Sequence, residues 1–382
     1  MAMLRLAIVC DFLEEQWPSM DLLAEMLLAN LGRNHSQVVQ ATPICPRWTP
    51  RFSRLPIPAG KQSAFCADRL VNRMWDYPRY LRRWRDQCDY FHICDHSYAH
   101  LVHALPPERT GVFCHDLDCF RCLLHPRSEP RPRWFRAMSR HILRGLQKAA
   151  VVFYSTAELG RRLRECRFVD AGRLVYAPYG VSPEFTPNSE DLDTSVGERP
   201  DGVRLPFLLH VGSCIARKRV DTLLEVFARV RARQPELLLV QVGGEWTPPQ
   251  REQIKRLGIG SAVRQQRGLD RRTLGALYRR ARVVLQTSEA EGFGLPVIEA
   301  LACAGVVVAS EIPVLREVGG DGAVYCPVAD VPCWVETVGR LLNHPATAPD
   351  RERRLAQAQR FSWANHAQNI LQAYRPNGRR AA

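Results

Sequence analysis

Lysine is nearly absent from this chain. Lys61, Lys148, Lys218 and Lys255 are its only lysines, so the net charge of +14 over 382 residues is carried by arginine. Long apolar runs are also lacking: no stretch reaches the about 18 residues that a membrane-spanning helix needs. The opening "MAMLRLAIVCDFLEE" is too short an apolar run for a secretory leader and turns acidic at once. The 13 cysteines are odd in number and scattered, which suits reduced thiols in the cytoplasm and not a disulfide framework. No aromatic-basic motif or zinc knuckle accompanies the positive charge, so nucleic acid is not the expected partner. An anionic partner of another kind is: a phosphorylated substrate or a membrane surface, unless an arginine-rich proteome alone accounts for the charge.

What is present is a strict alternation. Hydrophobic residues make up 46% of the chain and charged residues 24%, an ordinary soluble balance. Six short apolar runs mark the first half: "LRLAIVCDF", "QVVQATPI", "DYFHICDH", "TGVFCHD", "AAVVFYST" and "RLVYAPYG". Six more mark the second: "PFLLHVGS", "LLLVQVGG", "VRQQRGL", "RVVLQTS", "GVVVAS" and "GAVYCP". Helical patterns lie between them, as in "RVDTLLEVFARVRARQ". Runs of this kind are strands buried on both faces of parallel sheets, so the fold class is α/β, doubly wound, twice. Neither half repeats the other in sequence. The polar stretch "TPNSEDLDTSVGERPDG" reads as a linker. The expected division is a first domain over 1–185, a linker over 186–204, a second domain over 205–362, and a last helix and tail over 363–382 that returns to the first domain. Two such domains would face a central cleft, with chemistry at the carboxyl ends of strands.

The stretch "SEAEGFGLPVIEALACAGVVVAS", residues 288–310, has that position. A strand ends near Ser288, and Glu291, Gly292, Phe293, Gly294, Leu295 and Pro296 follow. Pro296 suits the first position of a helix, where its missing N–H costs nothing. The helix's free N–H groups attract anions, and the glycines let a ligand approach the backbone. Glu299 is expected in the first turn, where a carboxylate could accept two hydroxyls of a ribose. Glu291, on the loop, could accept hydrogen bonds from a sugar.

This segment resembles the E-x7-E signature of retaining GT-B glycosyltransferases of family 4, the glycosyl transferases group 1. "EIPVLREVGGDGAVYCPVAD", "LLHVGSCIARKRVDTLLEVFARV", "VFCHDLDCF" and "VYAPYGVSPEF" continue the resemblance across most of residues 90–375. It implies a GT-B fold of two Rossmann-like domains, the second holding a nucleotide sugar. In "GSCIARKRV", Gly212 and Ser213 end the domain's first strand, and Arg217 and Lys218 match the pair that stabilises the leaving diphosphate. Many members carry the arginine directly after the glycine, where this chain has Ser213. By the same resemblance His115 faces the donor sugar, and Asp116 orients the histidine or its loop. His96, in "DHSYAH", is a further strand-end residue on the acceptor side.

One stretch departs from the family. A Gly-Gly loop is usual after the first strand; here "DFLEEQWPSMDLLAEML" has none. Ser19 or Asp21 is expected to cap the following helix, and the loop, with Ser19 and Met20, to serve the acceptor. Cys114, Cys119, Cys122, His115 and His125 lack a second pair at zinc-finger spacing, so no metal is expected. "RYLRRWR", residues 79–85, is a candidate contact with an anionic membrane surface, or simply an exposed helix face.

The resemblance thus implies retaining transfer of a hexose from a UDP-, GDP- or ADP-sugar to a hydroxyl of a saccharide or lipid-linked acceptor, in polysaccharide biosynthesis. It implies no metal and no cofactor beyond the nucleotide sugar, and a cytoplasmic location, peripheral on the inner face of the membrane if the basic segment meets lipid. The alternatives are an inactive glycosyltransferase-like partner protein and a nucleotide-sugar epimerase on the same scaffold.

Overall fold

All twelve apolar runs form strands in the computed structural model, which describes residues 3–54, 61–188 and 205–375. In the first half these are β1 (Leu4–Val9), β2 (Val39–Ile44), β3 (Tyr90–Ile93), β4 (Thr110–Cys114), β5 (Val151–Tyr154) and β6 (Leu174–Tyr176). In the second they are β7 (Phe207–Gly212), β8 (Leu238–Gly243), β9 (Val263–Gln266), β10 (Val283–Gln286), β11 (Val307–Ser310) and β12 (Val324–Cys326). They make two parallel sheets of six, ordered β2-β1-β3-β4-β5-β6 and β12-β11-β10-β7-β8-β9.

Position in the sheet explains composition. The interior strands β4, β10 and β11 are buried at every residue, because helices cover both faces, and they are apolar except at one end, where Thr110, Gln286 and Ser310 stand. The edge strands β2, β6, β9 and β12 are only partly buried and tolerate polar residues such as Arg264 and Gln265. In each sheet the winding direction reverses once, between β1 and β3 and between β7 and β10. Such reversals splay the flanking loops apart and leave a crevice at the carboxyl ends of the strands.

Packing divides the chain into two units, one reaching Gly180 and including the helix Trp363–Tyr374, the other running from Val181 to Ser362. The last helix is bound to the first unit by buried polar contacts. Tyr374 Oη lies 3.0 Å from His92 Nδ1 and donates to Phe91 O at 3.2 Å. His366 Nδ1 lies 3.1 Å from the carbonyls of Ala177 and Pro178. Residues 189–204 of the expected linker lie outside the described residues.

The helix after β1 corrects one expectation. It begins at Pro18 with Trp17 at the N-cap and no side-chain cap. Ser19 and Asp21 therefore sit inside its first turn. Pro18 starts the helix because its fixed φ suits that position and its absent N–H is not needed there.

Candidate functional site

The site in the second unit is built at the reversal point between β7 and β10. The chain leaves β7 through Gly212 and the exposed Ser213, turns through Ala216–Lys218, and enters the helix Val220–Arg231. Close approach of β8 makes this turn possible. A Cβ on Gly243 would stand 2.5 Å from Gly212 O, and one on Gly244 2.6 Å from Cys214 N, so only glycine fits at either position.

Across the crevice, the loop after β10 is stapled to this turn. Thr287 Oγ1 donates to Lys218 O at 2.9 Å, and Glu289 N donates to Arg217 O at 2.9 Å. The staple brings Glu291 against both cations. Lys218 Nζ lies 2.6 Å from Glu291 Oε1, and Arg217 Nη1 lies 3.1 Å from Oε2. Ser288 Oγ, at 2.7 Å, and Gln286 Nε2, at 2.5 Å, also donate to Oε1. Burial alone would raise the Glu291 pKa, but Lys218 and Arg217 outweigh it and hold the carboxyl below its ordinary value. Glu291, 73 positions after Lys218, thus forms one charged cluster with Lys218 and its neighbour Arg217, carrying a net positive charge.

Glu299 is placed differently from the expectation. Gly294, at φ +100°, is the N-cap of the helix Leu295–Ala302, so Pro296 is the second helical residue and Glu299 the fifth. Its carboxylate is therefore in the second turn, buried, and receives a hydrogen bond from Tyr278 Oη at 2.9 Å. Burial pushes its pKa up to about 7, against the opposing pull of Tyr278 and Arg271. Phe293 turns its ring into the core against Phe361, with ring centroids 5.6 Å apart, so only its backbone is available to a ligand. Gly292 and Leu295 are half-buried beside it.

Three contributors escaped the sequence reading. Tyr278 lies in an ordinary helical pattern, "DRRTLGALYRRA". His210, in mid-strand, reads as core. It is fully buried beneath Gly212, near the Lys218 side chain, and neither ring nitrogen has a hydrogen-bond partner. Burial and the adjacent Lys218 push its pKa down to about 3, so the ring is neutral. Gln241, its neighbour on β8, supports the turn by donating to Gly212 O at 2.9 Å.

The first unit has its own polar cluster at the strand ends. His96 stands between two carboxylates, Asp95 Oδ1 at 3.2 Å and Asp116 Oδ1 at 3.4 Å. Burial opposes a charge on this ring, but Cys119, Cys114, Asp116 and Asp95 outweigh it and hold its pKa well above the ordinary value. His115 behaves oppositely: burial pushes its pKa down to about 4. Its Nε2 is 2.6 Å from Cys94 O, which can only accept, so Nε2 carries the proton and Nδ1 accepts from Tyr179 Oη. Both ring nitrogens are engaged within the protein, and the sugar-facing role expected of His115 would need one of them released. Ser19 is exposed and Met20 half-buried. The loop's buried charge comes from Glu15, held by Tyr98 Oη at 2.9 Å, Arg69 at 3.3 Å and Arg73 at 3.4 Å. Asp11, just past β1, is buried with neither carboxylate oxygen hydrogen-bonded. Among the described residues no group of three or more His, Cys, Asp or Glu is arranged to hold a metal ion.

Residues 199–361 match the sequence profile of the glycosyl transferases group 1. The O-antigen chain mannosyltransferase B of Escherichia coli is 28% identical over 305 residues, covering 76% of this chain and 75% of that protein. The D-inositol 3-phosphate glycosyltransferase of Kribbella flavida is 32% identical over 47% of this chain and 45% of its own length. Among solved structures, Anabaena HepE in complex with UDP-glucose superposes with a TM-score of 0.70 at 15% identity, over 96% of this chain and 98% of that one; at that identity the likeness speaks for the fold.

Proposed function

With residues 199–361 belonging to the glycosyl transferases group 1, on a GT-B fold of two Rossmann-like units, we propose that the protein is a retaining hexosyltransferase of family 4. It would take a nucleotide sugar as donor and a hydroxyl of a saccharide or lipid-linked acceptor, in polysaccharide or glycolipid synthesis. The mannosyltransferase relative puts a mannose donor first among those to test, and the UDP-glucose bound by HepE puts UDP-glucose second.

The observation that carries this reading is the cluster of Lys218 and Arg217 on Glu291. A donor diphosphate presents two cations with a stronger anion than a single carboxylate. Exchange of partners would move Lys218 and Arg217 onto the phosphates and release Glu291 to the hydroxyls of the sugar. Glu299 would take the ribose diol, and the backbone amides around Gly292–Leu295 would face the phosphates. Negative charge grows on the diphosphate as the glycosidic bond breaks, and fixed cations in a largely dry site stabilise that change without reorganising. Lys218 and Arg217 supply the counter-charge that a divalent ion supplies elsewhere, so the reaction would proceed without one. Front-face attack, with the leaving phosphate as base, accounts for retention.

A thermal-shift panel of UDP-, GDP- and ADP-sugars tests the proposal. The true donor at 100 times its dissociation constant should stabilise the protein by about 2.7 kcal/mol, and at the same concentration Lys218→Ala should cut that to about 1.4 kcal/mol or less. No shift with any nucleotide sugar, and no transfer product with a saccharide acceptor, would overturn it.

A further inference from the structure

The first unit carries a cationic face that donor chemistry does not use. Its main element is the helix Arg133–Lys148. No acidic residue occurs between Glu129 and Glu158. The inward side of the helix, Ser139, Ile142, Gly145 and Leu146, is buried. Gly145 lies so close to the segment His96–Ala104 that a Cβ there would stand 1.9 Å from Ala99 O. The helix is therefore fixed in orientation, and its outward side is a permanent surface. Arg133, Arg140, Arg144 and Lys148, all exposed, recur on that side at helical spacing. Trp134, 62% exposed, stands at its start.

The segment His96–Ala104 joins this helix to a second basic element. On one hand His103 stacks on His141, centroids 4.4 Å apart, and its Nε2 lies 3.1 Å from His141 O. On the other, Arg85 Nε donates to Ala104 O at 2.6 Å, tying down the turn that follows the helix Tyr77–Leu81. That element exposes Arg79, Arg82 and Arg83. The preceding turn, Asn72–Asp76, exposes Trp75, with the Arg79 guanidinium 3.3 Å above its ring. Asp86 is the lone acid of residues 77–88. Among the described residues, none of these seven cations forms an ion pair.

We propose that this face seats the protein on an anionic phospholipid surface. Unpaired like charges along one side of a fixed helix repel one another, and a sheet of phosphates removes that repulsion. Guanidinium groups bind phosphates in pairs of hydrogen bonds. The two exposed indoles suit the headgroup layer, where one edge is wet and the other apolar. A nucleic-acid strand fits less well, because two separate tryptophans make no continuous stacking platform. Among the described residues no helix is long and apolar enough to cross a bilayer, so attachment through this face is peripheral. The proposal is independent of the donor reading.

Cosedimentation of the full chain with vesicles tests it. Vesicles containing phosphatidylglycerol should carry the protein down, and pure phosphatidylcholine vesicles should not. Salt at about 1 M, where the screening length falls to about 3 Å, should release it. The double reversal Arg140→Glu with Arg144→Glu should lower vesicle affinity by at least about tenfold, and Trp134→Ser should lower it several-fold. Thermal unfolding should show both variants folded; the milder pair Arg140→Gln with Arg144→Gln serves if the reversal does not fold. Equal binding to both vesicle types, or wild-type binding by the folded variants, would overturn the proposal. So would tighter binding to a short RNA with the same dependence on Arg140 and Arg144, which would make the face a nucleic-acid site.

Discussion

Lys218 Nζ rests 2.6 Å from Glu291 Oε1. The chain's own carboxylate thus occupies the cation that a donor diphosphate would need, and removing it has two opposite consequences. Glu291→Gln should tighten binding of a free nucleoside diphosphate by about tenfold, or about 1.4 kcal/mol, because the competitor is gone. The same variant should lower turnover by about 100-fold or more, because the group proposed to hold the sugar is lost. It should also lower the melting temperature of the ligand-free protein, since a buried cation loses its main partner. Calorimetry, kinetics and thermal unfolding on one variant read all three; weaker nucleotide binding would sink the exchange.

Lys218→Ala should act in the other direction on the ligand. A hydrogen bond between charged groups contributes about 1.5–3 kcal/mol, so nucleoside diphosphate affinity should fall by at least about tenfold. Turnover should fall further still, because the diphosphate gains charge in the transition state. Isothermal titration and steady-state kinetics separate the two effects.

Glu299 should make both stability and nucleotide binding depend on pH. Its pKa is raised to about 7 in the fold, while the unfolded chain titrates near 4.3. Between those values the unfolded state has released the proton and the native state has not, so stability falls as pH rises from about 4 to about 7 and levels off above. The full effect is at most about 4 kcal/mol. Glu299→Gln should flatten this part of the stability profile and be relatively more stable above pH 7. A ribose diol donates to the anionic carboxylate, so wild-type affinity for nucleotide should rise as pH rises through about 7; affinity of the variant should be lower and level. Titrations across that range decide.

Tyr278→Phe isolates the support of that carboxylate. Losing the 2.9 Å hydrogen bond removes a group that stabilises the anion, so the midpoint of the pH-dependent binding should move upward. The fold should lose about 1 kcal/mol. An unchanged midpoint would mean that Tyr278 serves packing only.

In the first unit, His96→Gln should cost about 3 kcal/mol, because Asp95 and Asp116 would face one another without the cation between them. The wild-type contribution is fully present below the ordinary histidine pKa and is lost as pH rises through the raised folded value. Unfolding curves in alkaline buffer should therefore bring the two proteins together.

The sequence carried the strands more completely than the site. A strand buried on both faces is mostly apolar, so β4, β10 and β11 announce themselves despite Thr110, Gln286 and Ser310 at their ends. A strand-end cluster obeys no local pattern. Lys218 and Glu291 stand 73 positions apart, and residue spacing alone does not say that the first neutralises the second. The helix after β10 starts one residue earlier than Pro296 suggests, because Gly294 can adopt a positive φ and take the cap, and it is burial that raises the Glu299 pKa. His210, Asp11 and Tyr278 were invisible for a common reason. His210 and Tyr278 sit in elements whose pattern is satisfied without them and Asp11 lies in the loop after β1, and only neighbours in space give each its meaning.

The return of the last helix to the first unit has a consequence for synthesis. The second unit is an insertion: the chain enters it at Val181 and leaves at Ser362. Its two ends are already joined, Val181 N donating to Phe361 O at 3.3 Å. On the ribosome the second unit can therefore close while the first still lacks the helix that covers His92 and Ala177. The half of the molecule begun first would be the last to be finished.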